Sequence, residues 1–341
     1  MKNIYDDNGY LNIEEIASGS HWLIVIIGAR QVGKTYGTLK YMLDNNIMHI
    51  LLRRTTDELE LIGGNLNLNP YKAFEPEYTT GIFHKKKLYT INDYHVNEKN
   101  EIIKDNLRGM ALSLPQIAHI RGFNGSAFTD IVYDEFIPEK GVTVRKTEGD
   151  SLLNAYTTVN GNRELEGGKP VRLWLLANSN NIASPVLEAL SLTDPILDMR
   201  RKGREVYEWR NALIVQPKSR EVIDKRENTE LMKHLTDGGN FKEMALNNEF
   251  SYDRSPLIRQ LSIKGMKPLF SYNGVFYAWE GGGNVYICKA KHTIAPYDDS
   301  DFSRQLLKDD FIIMRRLYYT GCVYFADMRC ESIFKGVFDI D

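Results

Sequence analysis

The octapeptide Gly28-Ala29-Arg30-Gln31-Val32-Gly33-Lys34-Thr35 matches G-x-x-x-x-G-K-[ST] at every defined position. A loop of this kind turns its backbone N–H groups inward at phosphate oxygens. It therefore needs residues free of Cβ clashes, and it ends at a helix N-terminus whose partial positive charge favours the anion. In such a loop Lys34 would reach the β- and γ-phosphates of ATP as a point charge, and the Thr35 hydroxyl would ligate Mg²⁺. Arg30 is the unusual element, because it either faces solvent or lies against the γ-phosphate and helps neutralise it.

A second chemical group stands where Ile131-Val132-Tyr133 runs into Asp134-Glu135. Carboxylates rarely finish an apolar run for packing reasons, and in open α/β sheets the C-terminal ends of the strands form the ligand-binding edge. Asp134 is expected to hold Mg²⁺ directly or through water. Glu135, adjacent to it, is expected to be the general base or to position the attacking water. A second carboxylate favours hydrolysis over transfer of the phosphoryl group to a small acceptor. Asn178 ends the apolar run LWLLA, where it either opens a turn or sits beside the γ-phosphate between the two central strands.

The elements that must position these groups follow from periodicity. HWLIVII, residues 21–27, is a short β-branched apolar run, as expected of a central parallel strand buried on both faces. Residues 35–43 place Leu39, Met42 and Leu43 on one helical face, and IMHILLRR, residues 47–54, returns to strand character, completing a βαβ unit. Residues 81–114 suggest an antiparallel insertion with a basic tip at Lys85, Lys86 and Lys87. DIVYDE and VRLWLLANS add two buried strands around a helical stretch at 152–159, so the sheet should be mainly parallel. The expected layout is α/β, with an ATPase domain over 1–218 and an amphipathic helical linker or lid over 219–250. A small α+β domain follows over 251–341, with strands in LIRQLSIK, on both sides of Asn273-Gly274 and after Gly283, then a helix near 302–318.

The 341 residues suit two compact units. A net charge of −2 argues against a protein that coats nucleic acid, so any such contact must be local. Cys288, Cys322 and Cys330 lack metal-site or disulfide spacing. No apolar run approaches the ~20 residues that would span a bilayer, and no signal peptide is evident. Cytoplasmic residence without a membrane partner is expected.

With these residues in place, the chain resembles the DNA-packaging ATPases of small tailed phages of the phi-29 type, a branch of the terminase-like motors. The likeness lies in IGARQVGKTYG, ILLRRTTDELE, TDIVYDEFIPEK, NGNRE, LLANS, NNEF and SYNGVFYAWE, and covers most of the length. It implies a P-loop ATPase domain of the additional-strand (ASCE) class and an RNase H-like tail. It further implies a homo-oligomeric, pentameric ring that moves double-stranded DNA, docked with the portal and a packaging RNA on a procapsid in the infected host. Hydrolysis at subunit boundaries would call for an arginine acting in trans, with Arg163 and Arg121 as the two candidates. Gly161 stands where the resemblance would place a finger arginine. The tail's acidic residues, Glu280, Asp298, Asp299, Asp301, Asp309 and Asp310, do not suggest the convergent set that a two-metal nuclease needs, so no DNA cleavage is expected.

A translocating motor grips phosphates and not base edges. The candidate contacts are Lys85, Lys86 and Lys87, which could equally be a solvated hairpin tip, together with Arg53, Arg54 and, in the tail, Lys289 and Lys291. Two other readings compete: a different nucleic-acid-dependent P-loop NTPase, such as a helicase, and a nucleotide-gated assembly factor. Glu135 speaks against the second, because a pure switch needs no catalytic carboxylate.

Overall fold

A computed structural model describes residues 3–85, 88–119, 124–138, 144, 145, 147–178, 184–235 and 257–340. The chain divides into two compact units, Met1–Glu249 and Phe250–Asp341.

The first unit is built on a nine-stranded sheet. Its strands are β1 (Leu23–Gly28), β2 (His49–Arg53), β3 (Thr80–Lys85), β4 (Leu88–Val96), β5 (Ile102–Ser113), β6 (Asp130–Asp134), β7 (Arg172–Asn178), β8 (Val206–Trp209) and β9 (Ala212–Val215). Their spatial order is β3-β4-β5-β2-β6-β7-β1-β9-β8. All neighbours from β5 to β9 pair in parallel, and antiparallel hairpins close both edges. Every residue of β1 is buried, so both of its faces are covered, as the unbroken run LIVII requires. Ile24 and Ile26 pack in one core with Leu39, Met42 and Leu43. Those three lie on α2 (Lys34–Asp44), which starts directly after the glycine-rich loop. A short α1 (Ile13–Ala17) precedes β1, and its Ile13 and Ile16 enter the same core.

The expected antiparallel segment is present, but it is not a separate insertion. It extends the main sheet, because the second half of β5, Gly109–Ser113, lies parallel to β2. The hairpin β8–β9 was not anticipated. Its inner strand, β9, lies against β1 and is buried along its whole length.

Helices α3 (Thr56–Gly63), α4 (Leu114–His119), α5 (Glu148–Asn160), α6 (Pro185–Ala189) and α7 (Thr193–Arg201) connect or flank these strands. The stretch anticipated as a linker or lid contains α8 (Arg220–Glu227) and α9 (Glu230–His234). Both belong to the first unit, and Val222 of α8 enters the sheet's core. No described helix is long and apolar enough to cross a membrane.

The second unit is α+β. Its sheet contains β10 (Lys267–Tyr272), β11 (Phe276–Gly281), β12 (Asn284–Cys288), β13 (Pro296–Tyr297) and β14 (Val323–Phe325), in the order β13-β10-β11-β12-β14. The central three form an antiparallel meander around the anticipated Asn273-Gly274 turn, and the two edge strands are parallel to their neighbours. Phe270, Phe276, Phe325 and Phe334 fill its core. LIRQLSIK, expected to be a strand, makes only an isolated bridge from Ile258 to Phe325. The single helix expected near 302–318 is two, α10 (Asp301–Asp310) and α11 (Met314–Tyr319). The break follows from burial and charge: Phe311 turns inward to pack 4.5 Å from the Phe270 ring, and Asp309-Asp310 oppose the helix dipole at the end of α10. The unit closes with α12 (Met328–Val337).

Candidate nucleotide site

Pairing register brings the chemical groups together. Gly28, where β1 ends, lies opposite Asn178, the last residue of β7. On the other side of β7, Asp134 lies opposite Leu176. Beyond β6, Leu52 of β2 lies opposite Tyr133, which sets Arg53 next to Asp134. Four parallel strands thus deliver Gly28, Asn178, Asp134 and Arg53 to one edge, the C-terminal edge at which open α/β sheets bind ligands.

The loop from Gly28 to Thr35 turns through positive φ at Gln31 and Gly33. At 90°, the φ of Gly33 lies in the region that favours glycine, and Gly33 is also the residue from which α2 begins. Beside the loop is a cavity of about 320 Å³ lined by Arg30, Gln31, Gly33, Lys34, Thr35, Tyr36, Asp134, Glu135, Ala177 and Asn178. Lys34 is buried, and its ammonium donates to the carbonyls of Gly28 (3.0 Å) and Ala29 (2.6 Å) and to Asn178 Oδ1 (3.1 Å). Burial pushes its pKa down to about 7; Asp134 opposes the shift, while Arg226 and Arg30 add to it. An ammonium that must satisfy itself on backbone carbonyls is positioned to gain from an incoming anion.

The Thr35 hydroxyl donates to Asp134 Oδ1 at 2.9 Å. Burial raises the pKa of Asp134, against the lowering effect of Arg53. The other carboxylate oxygen receives Arg53 Nη1 at 2.7 Å, while Arg53 Nη2 reaches Glu135 Oε2 at 2.8 Å. The adjoining hydroxyl and carboxylate are the donor set expected for Mg²⁺. The guanidinium already on the carboxylate shows that a cation is electrostatically accommodated there. Glu135 has a positive φ of 55°. Its side chain is about half exposed at the cavity, unlike that of Asp134.

Arg53 and Arg54, expected to contact DNA, are turned inward. Arg53 bridges Asp134 and Glu135. Arg54 is 7% exposed and donates to Glu148 Oε1 at 3.1 Å, at the start of α5, with Glu58 beside it. Burial and carboxylate partners remove both from the surface that a duplex would touch. Sequence reasoning missed this pairing of Arg53 with the acidic residues.

Arg30 is exposed and lines the cavity, and its carbonyl accepts from Arg226 of α8 at 2.8 Å. Arg163, in the turn after α5, donates to the Gly125 carbonyl at 2.7 Å. Arg121, Lys86 and Lys87 fall outside the described residues, and Lys85 ends β3. In the second unit Lys289 lies 3.6 Å from Asp327, and Lys291 is exposed.

In the sheet, β7 is inserted between β1, which carries the phosphate loop, and β6, which carries the acidic pair. That order, with Lys34, Thr35 and Asp134 assembled at one edge, defines a P-loop ATPase of the additional-strand class.

Comparison with known proteins narrows this. Residues 5–298 match the family described as Podovirus DNA encapsidation protein (Gp16), and the chain belongs to that family. It is 28% identical over 276 residues to the DNA packaging protein of Bacillus phage phi29, spanning 79% of this chain and 74% of that protein. It is likewise 28% identical over 257 residues to the DNA packaging protein of Bacillus phage B103, spanning 73% and 71%. Among solved structures, the bacteriophage Phi-29 viral genome packaging motor assembly contains a chain that superposes with a TM-score of 0.64 at 21% identity, over 97% of this chain and 99% of that one. The Phi-28 gp11 DNA packaging motor superposes with a TM-score of 0.59 at 17% identity, over 98% and 99%.

Proposed function

We propose that this chain is the ATPase of a viral genome-packaging motor, hydrolysing ATP to translocate double-stranded DNA into a procapsid. The observation that carries the chemistry is the convergence of Lys34, Thr35, Asp134 and Glu135 on one cavity at the sheet edge. The Gly28–Thr35 loop holds the triphosphate, and Lys34 leaves the carbonyls of Gly28 and Ala29 for phosphate oxygens. Mg²⁺, held by Thr35 and Asp134, would neutralise charge on the β- and γ-phosphates. Arg53 must leave Asp134 to admit it. That departure also frees Glu135 to orient the attacking water and accept its proton. Asn178, already bonded to Lys34, ties the phosphate end to β7.

By similarity to the packaging motors, the working form is a homo-oligomeric ring, a pentamer, acting with the portal and a packaging RNA at the procapsid in the host cytoplasm. Lys85, Lys86 and Lys87 are proposed to meet DNA phosphates in the ring's channel. A cation acting in trans is worth roughly 10³–10⁵ in rate in such enzymes, and Arg163 and Arg121 are its candidates. We propose that the second unit does not cleave DNA. Its carboxylates are dispersed and engaged locally: Asp299 accepts from Tyr272, Asp310 from Tyr297 and Asp298 from Ser300, while Glu280 lies opposite Lys267.

The test is ATP turnover by the full chain with and without double-stranded DNA. DNA should stimulate turnover strongly, and Glu135→Gln should abolish turnover while retaining ATP binding. Slow turnover indifferent to DNA would refute the motor and favour a nucleotide-gated assembly factor. Mixing Glu135→Gln with Arg163→Ala or Arg121→Ala protein should restore activity in one mixture. Recovery in neither would place the trans cation elsewhere.

A further inference from the structure

Strands β4 and β5 run on past the rest of the sheet. His49, the first residue of β2, lies opposite Gly109, so residues 102–107 extend beyond the start of β2 by about 20 Å. Every residue of that stretch is exposed, and β4 is its one ladder partner among the described residues. On the β4 side the ladder with β3 ends at Asp93, and His95 and Val96 are exposed. Residues 95–107 thus form a two-stranded ribbon with open edges. Its base is braced by Arg108, which donates to Asp93 and to Asn46 Oδ1 in the turn that ends α2.

The ribbon carries aliphatic side chains where solvent-facing polar ones would be expected. Val96 lies opposite Ile102, and Ile103 takes the other face. Val96, Ile102, Ile103 and Leu107 are 55%, 46%, 40% and 46% exposed. A lone two-stranded ribbon is marginally stable in water, and open edges with apolar residues on both faces suit a ribbon that is covered. Its charge disfavours a phosphate-bearing partner, because Lys99 and Lys104 stand against Glu98, Glu101 and Asp105, with His95 bonded to Asp105 at 2.8 Å. A nearly neutral aliphatic surface suits protein. The two faces present on the order of 700 Å², close to the ~800 Å² per partner of a standard stable interface.

Its position indicates which protein. Asp130 and Arg172, which begin β6 and β7, are level with His49 and Gly109. Arg163 is at this same edge: it bonds to Gly125 ahead of β6, and Asn160 at the end of its helix accepts from Val171 N–H ahead of β7. The edge lies opposite the one that holds the nucleotide cavity. In a closed ring the contacts run head to tail, so the side bearing a trans cation faces the nucleotide side of the next copy. We propose that the 95–107 ribbon is an arm that docks on the adjacent copy of this chain, burying Val96, Ile102, Ile103 and Leu107 across the subunit boundary. The proposal rests on the reading of the chain as a ring-forming motor.

The experiment is sedimentation velocity of the full chain over a range of concentrations, with Mg²⁺ and a non-hydrolysable ATP analogue. Val96→Asp combined with Ile103→Asp should weaken self-association at least about tenfold, as expected for charges placed in an apolar contact. Nucleotide affinity should stay within about twofold. Val96→Thr combined with Ile103→Thr keeps the β-branched shape and guards against a folding defect; it should weaken association by about threefold or more. A photo-crosslinking amino acid in place of Val96 should join two copies of the chain. Unaltered association in both double variants, or crosslinks that form only to portal protein when procapsids are added, overturns the arm while leaving the ring intact. Failure of the wild type to self-associate at any concentration sinks the ring reading and this proposal with it.

Discussion

Lys34 offers a quantitative test of the phosphate cradle that does not depend on turnover. Its buried ammonium titrates near pH 7 because burial disfavours the charge. A bound triphosphate supplies negative charge beside it and should return its pKa toward the ordinary lysine range, so binding above pH 7 must take up a proton. At pH 8 a group of pKa about 7 is only about one-tenth protonated, so uptake approaches about 0.9 proton per ATP bound. Between pH 7 and pH 9 the protonated fraction falls from about one half to about one hundredth, and affinity should fall about 50-fold. The sign for folding follows from the same shift. Between about pH 7 and the ordinary lysine range the unfolded chain binds more protons than the folded one, so the ligand-free protein gains stability as pH rises through that window. The assay is calorimetry at pH 8, without Mg²⁺, in two buffers of different ionisation enthalpy; the γ-phosphate is then already fully ionised. Lys34→Arg, charged throughout, should show almost no uptake. Uptake below about 0.2 proton in the wild type would refute the reasoning.

Further predictions concern the cations around the site. Arg53→Ala removes the guanidinium bonded to the buried Asp134 and should destabilise the ligand-free protein by about 3 kcal/mol, measured by denaturant unfolding. Its half-exposed partner Glu135 adds little to that figure. The same variant should respond to Mg²⁺ at lower concentration than the wild type, because no side-chain cation competes for Asp134; an unchanged magnesium midpoint would contradict the displacement of Arg53. Glu148→Ala removes the nearer carboxylate from the buried Arg54, leaving Glu58 at 3.7 Å, and should cost up to about 3 kcal/mol. Glu148→Ala combined with Arg54→Met should recover part of that loss, and a double variant less stable than the single one would count against the charge pairing of Arg54 with Glu148.

The parts of the fold that were legible in the sequence are those whose signal is local. β1, β2, β6 and β7 are buried on both faces and therefore read as short, unbroken apolar runs, and the glycine-rich loop declares itself by spacing alone. The hairpin β8–β9 was not legible. In VYEWRNALIV the outer strand is half exposed and the turn Arg210-Asn211 carries no glycine, so the only apolar run is the four residues ALIV, too short to declare a hairpin. The role of residues 3–17 was equally hidden, because short segments with little periodicity acquire meaning only when they pack on the phosphate loop.

Arg53 and Arg54 show the limit most clearly. Two arginines at a strand end look like a basic edge, and nothing near them in sequence reveals that Asp134, Glu135 and Glu148 lie against them in space. In the tail, residues 302–318 have enough helical periodicity to suggest one helix, and the inward turn of Phe311 onto Phe270 divides it. Both cases are tertiary pairing overriding a local pattern.

The most direct test of the central claim is a packaging reaction containing this protein, procapsids bearing the portal and packaging RNA, double-stranded DNA and Mg²⁺-ATP, scored by DNA protected from added nuclease. The wild type should protect genome-length DNA only when ATP is present, and Glu135→Gln should protect none. Protection without ATP, or equal protection by Glu135→Gln, would contradict an ATP-driven motor centred on this site.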